Sequence, residues 1–358
     1  VHARAGRDQS HRSVTPTIGQ SAFTHDVIVF GAGPAGASAA LTAAQNGLRV
    51  ALVDKHMFPR DKLCGGGLTG RAMKHYKAIF GSAVPDVPIL NRETIHFRAF
   101  GEDLGANSDA PALHFIMRHA FDQHLVEHAL SAGANDYTGQ SGQLQLDDPN
   151  QVVLPLPKET LRAPIAIAAD GVNSPTARQL FGKAFDHKQI GFALEVECPN
   201  LHDRPLRIDF GAVEWGYGWQ FPKTRGTTIG VGGVLARNSD MKPALTRYLS
   251  DLGIADAPPP KGQFLPFGAF RRMPGHGRIL LAGDAAGLVD PITGEGIAHA
   301  LHSGELAAKA VIAAHRRNSP DSALRIYCKS LTPIHASLRH AARLRNLMFR
   351  DSLRPAFI

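Results

Sequence analysis

Three glycines in the spacing Gly31-x-Gly33-x-x-Gly36, followed by a carboxylate at Asp54, are the residues of this chain best suited to hold a phosphorylated ligand. Gly31 permits a tight turn, Gly33 lets a pyrophosphate approach the backbone, and Gly36 lets the next helix lie close to the preceding strand. Pro34 and Ala35 complete the turn, so that the unpaired N–H groups of the helix's first turn face the phosphates. An acid about 20 residues beyond such a loop is where adenosine ribose hydroxyls are held. The flanking residues supply the elements this chemistry needs. An apolar β-branched run at 27–30 leads into the glycines, a small-residue helix follows, and a second apolar strand at 48–53 ends on Asp54 and Lys55.

Further chemistry-bearing residues recur down the chain. Cys64 is preceded by Phe58-Pro59-Arg60-Asp61-Lys62-Leu63 and followed by Gly65, Gly66 and Gly67, a run that predicts a loop whose backbone comes close to something planar or charged. Residues 114–129 read as a helix, apolar at 117, 121, 125 and 129 and carrying Arg118. Residues 163–178 read as a buried strand ending in Asp170-Gly171, and an acid at a strand's carboxyl end is where open α/β sheets place ligands. A strand near 279 delivers Gly283 and Asp284; after Pro291 the turn Gly294-Glu295-Gly296 opens a helix at Ile297. Between these lies a stretch, 185–261, of period-two segments that predicts an antiparallel sheet. Within it Tyr217, Trp219 and Phe221 fall on one strand face.

Together these motifs resemble the geranylgeranyl reductase family of FAD-dependent oxidoreductases, whose fold is that of p-hydroxybenzoate hydroxylase. The resemblance runs over about residues 26–310 and is carried by the GxGxxG loop, the F-P-R-x-K-x-C-G-G-G-L run at 58–68, R-x-x-F-D-x-x-L from Arg118, A-D-G-x-x-S at 169–174 with Arg178 four residues on, Y-x-W-x-F-P at 217–222, and G-D-A-A-G-x-x-x-P from Gly283. It implies an α/β fold: a Rossmann-type FAD-binding domain with an inserted antiparallel-sheet substrate domain and C-terminal helices. It implies FAD contacts from Gly31, Gly33, Pro34, Ala35, Gly36, Asp54, Lys55, Arg60, Lys62, Cys64, Gly65, Gly66 and Arg118. Asp170, Gly171, Gly283, Asp284, Pro291, Gly294, Glu295, Gly296 and Ile297 complete that set, and the positive end of the helix at Ile297 would stabilise reduced flavin. Cys64, Tyr217 and Trp219 are the implied reaction-site residues.

The implied reaction is hydride transfer from reduced FAD to a C=C bond of a hydrophobic, isoprenoid-like substrate, with the proton left to Tyr217, Cys64 or water. No second dinucleotide fingerprint is present, which leaves NADPH or another reduced electron carrier as donor. Two other classes share the fold. Oxygen-using hydroxylases carry a His where this chain has Gly287 and a later G-x-G-x-N, whereas here Ile297 follows Gly296, and halogenases carry W-x-W-x-I-P in place of Tyr217-x-Trp219-x-Phe221-Pro222. A flavin electron-transfer protein with an iron–sulfur cluster would need four cysteine ligands, and there are three cysteines in all.

Composition sets the outer bounds. With 358 residues, 44% of them hydrophobic, the chain can bury one large or two moderate cores. The expected division is a disordered leader at 1–24; an FAD-binding domain at 25–90, 111–184 and 262–320; a substrate domain at 91–110 and 185–261; and basic helices at 321–358. Cys64, Cys198 and Cys328 are too scattered for a disulfide framework or a metal site, which points to a reducing compartment, the cytoplasm. The formal charge of +8 would suit an acidic electron carrier or an anionic membrane surface, and no aromatic-rich basic groove suggests nucleic acid. No apolar run reaches the roughly 18 residues of a membrane span, so any membrane contact, at the inner face, is peripheral. The tail repeats apolar residues at 324, 327, 331, 334, 338 and 341, puts Arg325, Lys329, Arg339, Arg343, Arg345 and Arg350 on other faces, and breaks near Pro333. Such a helix either packs on its own domain or lies on lipid.

Overall fold

The protein is described by a computed structural model over residues 23–109, 111–267, 269–350 and 352. All but the last two residues of the expected leader lie outside these. The strand Val27–Phe30 sits inside a six-stranded sheet, flanked in parallel by Ala166–Ala168 on one side and Val50–Asp54 on the other. Asn135–Thr138 and Ile279–Leu281 extend it in parallel, and the short Gly275–His276 pairs antiparallel at the edge. Being covered on both faces, the inner strands are uniformly apolar. The helices Pro34–Gln45 and Ile297–Arg316 pack tightly on each other, the Ser38 hydroxyl donating to the Leu301 carbonyl at 2.7 Å.

A second, seven-stranded sheet runs Lys261–Leu265, Gly191–Cys198, Gly226–Val234, Gly216–Lys223, Leu206–Phe210, Ile95–Ala99, Glu102–Asn107. The excursion near residue 95 and the later period-two segments thus share one sheet. It is antiparallel except where Leu206–Phe210 runs parallel to Ile95–Ala99. Its back is covered by the helix Lys242–Asp251, whose Leu245, Tyr248 and Leu249 bury Leu194, Val196, Ile229 and Val231. The opposite face carries Tyr217, Trp219 and Phe221 and looks towards the loop that contains Cys64.

Two local expectations are corrected. Residues 114–116 do not begin a helix: Leu113–Ile116 is a strand held between Gly67–Leu68 and Ile89–Arg92, and the helix starts at Arg118 and runs to Ser131. Phe115 and Ile116 are both buried, and the ladder pairing prevails over an apolar helical period that starts only at Met117. In the tail, helices Ala323–Ser330 and Thr332–Met348 meet at Leu331, with Pro333 in the first turn of the second, and the apolar residues Tyr327, Leu331, Ile334 and Leu338 are buried against the domain. Arg345 does not share the outer face with the other cations. It is only 9% exposed, its Nη1 donates to the Pro291 carbonyl at 3.3 Å, and its guanidinium lies 5.6 Å from the Phe267 ring centroid.

The first turn of Ile297–Arg316 meets the helix Gly70–Phe80 through imidazoles. His299 is 3% exposed, with Arg71 Nη1 3.3 Å from its Nε2; burial, then that cation, push its pKa down to about 4. His75 stacks on His302 at 4.1 Å and is likewise pushed down to about 4, by burial and its partner. As pH falls below the ordinary 6.5, the unfolded chain takes up protons that the folded one refuses, so stability drops. His299→Gln should therefore abolish about 1–2 kcal/mol of the stability lost between pH 7 and pH 5, read from urea midpoints, whereas an unchanged pH slope would contradict this reading.

Candidate active site

At the nucleotide end, close approach dictates residue type. Gly31 sits at φ +102°, and a Cβ there would lie 2.3 Å from the Ala169 carbonyl oxygen; one on Gly36 would lie 1.7 Å from the carbonyl oxygen of Gly31. No side chain fits at either position. Pro34 occupies the first turn of its helix, with Gly33 as cap and Ala35 behind it. Asp54 accepts from the backbone N–H of Ala32 at 2.8 Å through Oδ2 and from that of His56 at 2.8 Å through Oδ1, which fixes the carboxylate against the loop. Lys55 next to it is exposed. On the neighbouring strand end, Asp170 Oδ2 accepts from Thr176 N at 3.1 Å, while Oδ1 is buried without a partner; burial pushes this carboxyl's pKa up. Gly171 follows in the turn.

The loop at 60–67 is held by a residue that the sequence reading passed over. Asp122, completely buried, accepts from Arg118 Nε at 2.7 Å and from Arg118 Nη2 at 2.8 Å, and pairs with Arg60 Nη2 at 3.1 Å. The i,i+4 spacing from Arg118 was the available signal. Burial alone would lower the Arg118 guanidinium; the Asp122 carboxylate outweighs it, with the Cys64 sulfur adding to the effect, and the pKa ends above its ordinary value. Arg60 Nη1 is buried without a partner. Lys62 is pushed down by burial and by Arg118, with Asp284 and Cys64 pulling the other way. Asp284 is in turn pushed up by burial against the pull of Lys62 and Arg118. Arg60, Lys62, Cys64, Arg118 and Asp284 thus come together around one region.

At the far end, the Gly66 N–H points to Cys64 Sγ at 3.4 Å, and the Cys64 carbonyl accepts from Lys223 Nζ at 3.1 Å. A Cβ on Gly65 would lie 2.8 Å from the Phe221 ring. Tyr217, Trp219 and Phe221 line up with ring centroids 5.7 and 6.1 Å apart. The Tyr217 hydroxyl donates to the Thr293 carbonyl, and burial pushes its pKa up. That carbonyl belongs to the turn between Pro291 and Gly294; beyond it Gly296 caps Ile297–Arg316. The Glu295 side chain accepts from Thr69 Oγ1 at 2.8 Å and is also stabilised by the Ala298 N–H in the first turn of that helix. Gly283 and Asp284 lie in a short helical turn whose Gly283 N–H donates to Ser303 Oγ at 2.9 Å. Glu195, also missed, stands on the aromatic face of the sheet, and its pKa is raised to about 7, chiefly by burial and against the pull of Lys223.

A cavity of about 700 Å³ reaches Asp284 and Gly287 at its inner end. Phe181, Phe185 and Phe270 form part of its walls, and the exposed Lys183, Arg272, Arg339 and Arg343 its rim.

A family profile described as FAD binding domain matches residues 24–197. The digeranylgeranylglycerophospholipid reductase of Methanosarcina mazei is 32% identical over 319 residues, 80% of this chain and 74% of that one. This chain belongs to the geranylgeranyl reductase family of FAD-dependent oxidoreductases. Another relative, the menaquinone reductase of Mycolicibacterium smegmatis, is 31% identical over 319 residues, 79% of this chain and 75% of its own length. The crystal structure of a geranylgeranyl bacteriochlorophyll reductase-like protein from Thermoplasma acidophilum superposes with a TM-score of 0.75 at 22% identity, covering 92% of each chain. The α/β flavoprotein fold is thereby shown.

FAD is the family's cofactor, and the geranylgeranyl reductase-like site suits it. Two buried polar atoms, Arg60 Nη1 and Asp170 Oδ1, lack protein partners where a pyrophosphate and its flanking groups would pass, and the glycine loop leaves no side chain in the way. Asp122→Asn removes the charge that holds two guanidiniums together, a change that costs about 3–5 kcal/mol in a buried pair. We expect the purified variant to lose most of its FAD, measured as the ratio of flavin to protein absorbance, and full retention would show that the two arginines are positioned by other contacts.

Proposed function

We propose that this enzyme saturates C=C bonds of a hydrophobic, isoprenoid-like chain, with FAD, when bound and reduced, supplying the hydride. The observation that carries this reading is the aromatic wall. Tyr217, Trp219 and Phe221 present a continuous apolar face directly opposite the Cys64 loop, and a polyene has nothing to offer a site except apolar and π surface. The names of the curated relatives, reductases of prenylated lipids and of a quinone, agree with it. Gly31, Gly33, Pro34, Ala35, Gly36 and Asp54 would hold the adenosine and pyrophosphate part of FAD, with Arg60, Arg118, Asp170 and Gly171 beside it. Lys62, Cys64, Gly65, Gly66, Gly283, Asp284 and the residues from Pro291 to Ile297 would enclose the remainder. Tyr217 has committed its proton to the Thr293 carbonyl, so its part is to tie the 291–296 turn to the substrate sheet. Trp219 lines the chain's path.

The test is direct. Dithionite-reduced enzyme incubated with a geranylgeranyl lipid should give product heavier by steps of two hydrogens, and Trp219→Ala should lower kcat/KM by about tenfold or more with FAD content intact. An unaltered lipid mass across prenyl diphosphates, prenyl glycerolipids and prenylquinones would reject the reading.

The basic rim of the 700 Å³ cavity next to Asp284 suits the donor of electrons, whether the phosphates of NADPH or an acidic carrier. Arg272→Glu with Arg343→Glu should slow flavin reduction by that donor by about tenfold and leave dithionite reduction unchanged. We also propose that this end of the chain contacts an anionic membrane surface peripherally: exposed Leu344 and Leu347 stand beside Arg343 on the last helix, with Arg350 just past its end, and among the described residues no helix is long and apolar enough to cross a membrane. Co-flotation with anionic vesicles that is abolished by Leu344→Glu with Leu347→Glu is the expected result.

A further inference from the structure

Saturating a C=C bond needs a proton as well as a hydride, and the groups named from the sequence are poorly disposed to give one. The Tyr217 hydroxyl is spent on a carbonyl, and Cys64 Sγ receives the Gly66 N–H. The strand register points elsewhere. Trp219 is directly opposite Gly230, and Gly230 is directly opposite Glu195, so the three residues form one row across the face that carries the aromatics. Because Gly230 has no side chain, the indole lies down over it: a Cβ there would be 2.3 Å from Trp219 Cζ2. The next side chain in the row is the Glu195 carboxyl. It is 3% exposed, and its Oε1 is buried without a hydrogen-bond partner, as is the Nε1 of Trp219. Two orphaned polar atoms in one row, beside the Cys64 loop, mark a polar spot that the protein's own groups leave unsatisfied.

We propose that the Glu195 carboxyl is the acid that protonates the substrate carbon opposite the one receiving hydride. This rests on the reductase reading above. The hydride and its electron pair form one C–H bond; the π bond breaks, and its pair takes the Glu195 proton to form the second. Glu195 is left as a carboxylate and regains a proton from water. The groups facing it are suited to both states. Burial and Glu197 on its own strand favour the acid form, while Lys223 of the aromatic strand, Lys62 and the Cys64 backbone N–H of the loop stabilise the anion; Tyr217 also faces it. With a pKa near 7 the carboxyl is poised for transfer at neutral pH.

Anaerobic single turnovers of reduced holoenzyme with the prenyl lipid separate this role from a structural one. Glu195→Gln should slow lipid-driven flavin reoxidation by about 100-fold, with dithionite reduction and FAD content unchanged, and Glu195→Asp should restore part of the rate. Wild-type turnover should fall as pH rises through about 7, and that limb should vanish in Glu195→Gln. The infrared carboxylic C=O band of wild-type holoenzyme at neutral pH should be absent from the same variant. Glu195→Gln turning over within about threefold of wild type, or lacking any change in the infrared band, overturns the assignment while leaving the reductase reading intact. Wild-type enzyme that reduces no prenyl lipid overturns both.

Discussion

The carboxylate of Asp122 carries a constraint on which the rest of the site depends. It is completely buried and binds two guanidiniums, Arg118 from its own helix and Arg60 from the loop that leads to Cys64. A carboxylate away from water is tolerable only when its partners neutralise it, and here those partners are the residues proposed to face a negatively charged cofactor. The arrangement fixes the loop to the nucleotide-binding part. Arg60 is left partly satisfied, with its buried Nη1 free of any protein partner, and is therefore able to accept an anion.

From that fixed loop the second sheet is positioned. Lys223 reaches back to the Cys64 carbonyl, Phe221 packs on Gly65, and the Tyr217 hydroxyl reaches the Thr293 carbonyl on the other side. Three contacts from alternate residues of one strand thus span from the Cys64 loop to the turn before the helix at Ile297. The aromatic wall is part of the joint between the parts, and Gly230 and Gly232 across from it leave the Trp219 indole room to lie flat. Buried Arg345 braces the same turn from behind, through Pro291.

What could be read from the sequence follows the range of the forces involved. The glycine loop, its two strands and the helix at Ile297 are local: turn geometry, strand period and helix start all fall within about 20 residues. The Rossmann-type fold was legible for that reason, and so was the shared face of Tyr217, Trp219 and Phe221. The strand Leu113–Ile116 was not, because its reason lies in two partners at 67–68 and 89–92. Arg345 reads as one more surface cation until the Trp215 and Phe267 rings on other elements are seen to cover it. Glu195 belongs to an alternating strand in which Glu195 and Glu197 look alike; only the register with Gly230 and Trp219 shows that one of them is buried in the aromatic row. Asp122 was visible as a residue, four after Arg118, but its second partner is 62 positions away in sequence.

The central claim is that the aromatic face opposite the Cys64 loop presents an alkene, rather than oxygen, to reduced flavin. Stopped-flow absorbance of photoreduced, oxygen-free enzyme, mixed in separate runs with a geranylgeranyl lipid and with dissolved oxygen, compares the two acceptors on one preparation. The account predicts rapid return of the oxidised flavin spectrum with the lipid and slow return with oxygen. Rapid reaction with oxygen and none with the lipid would contradict it.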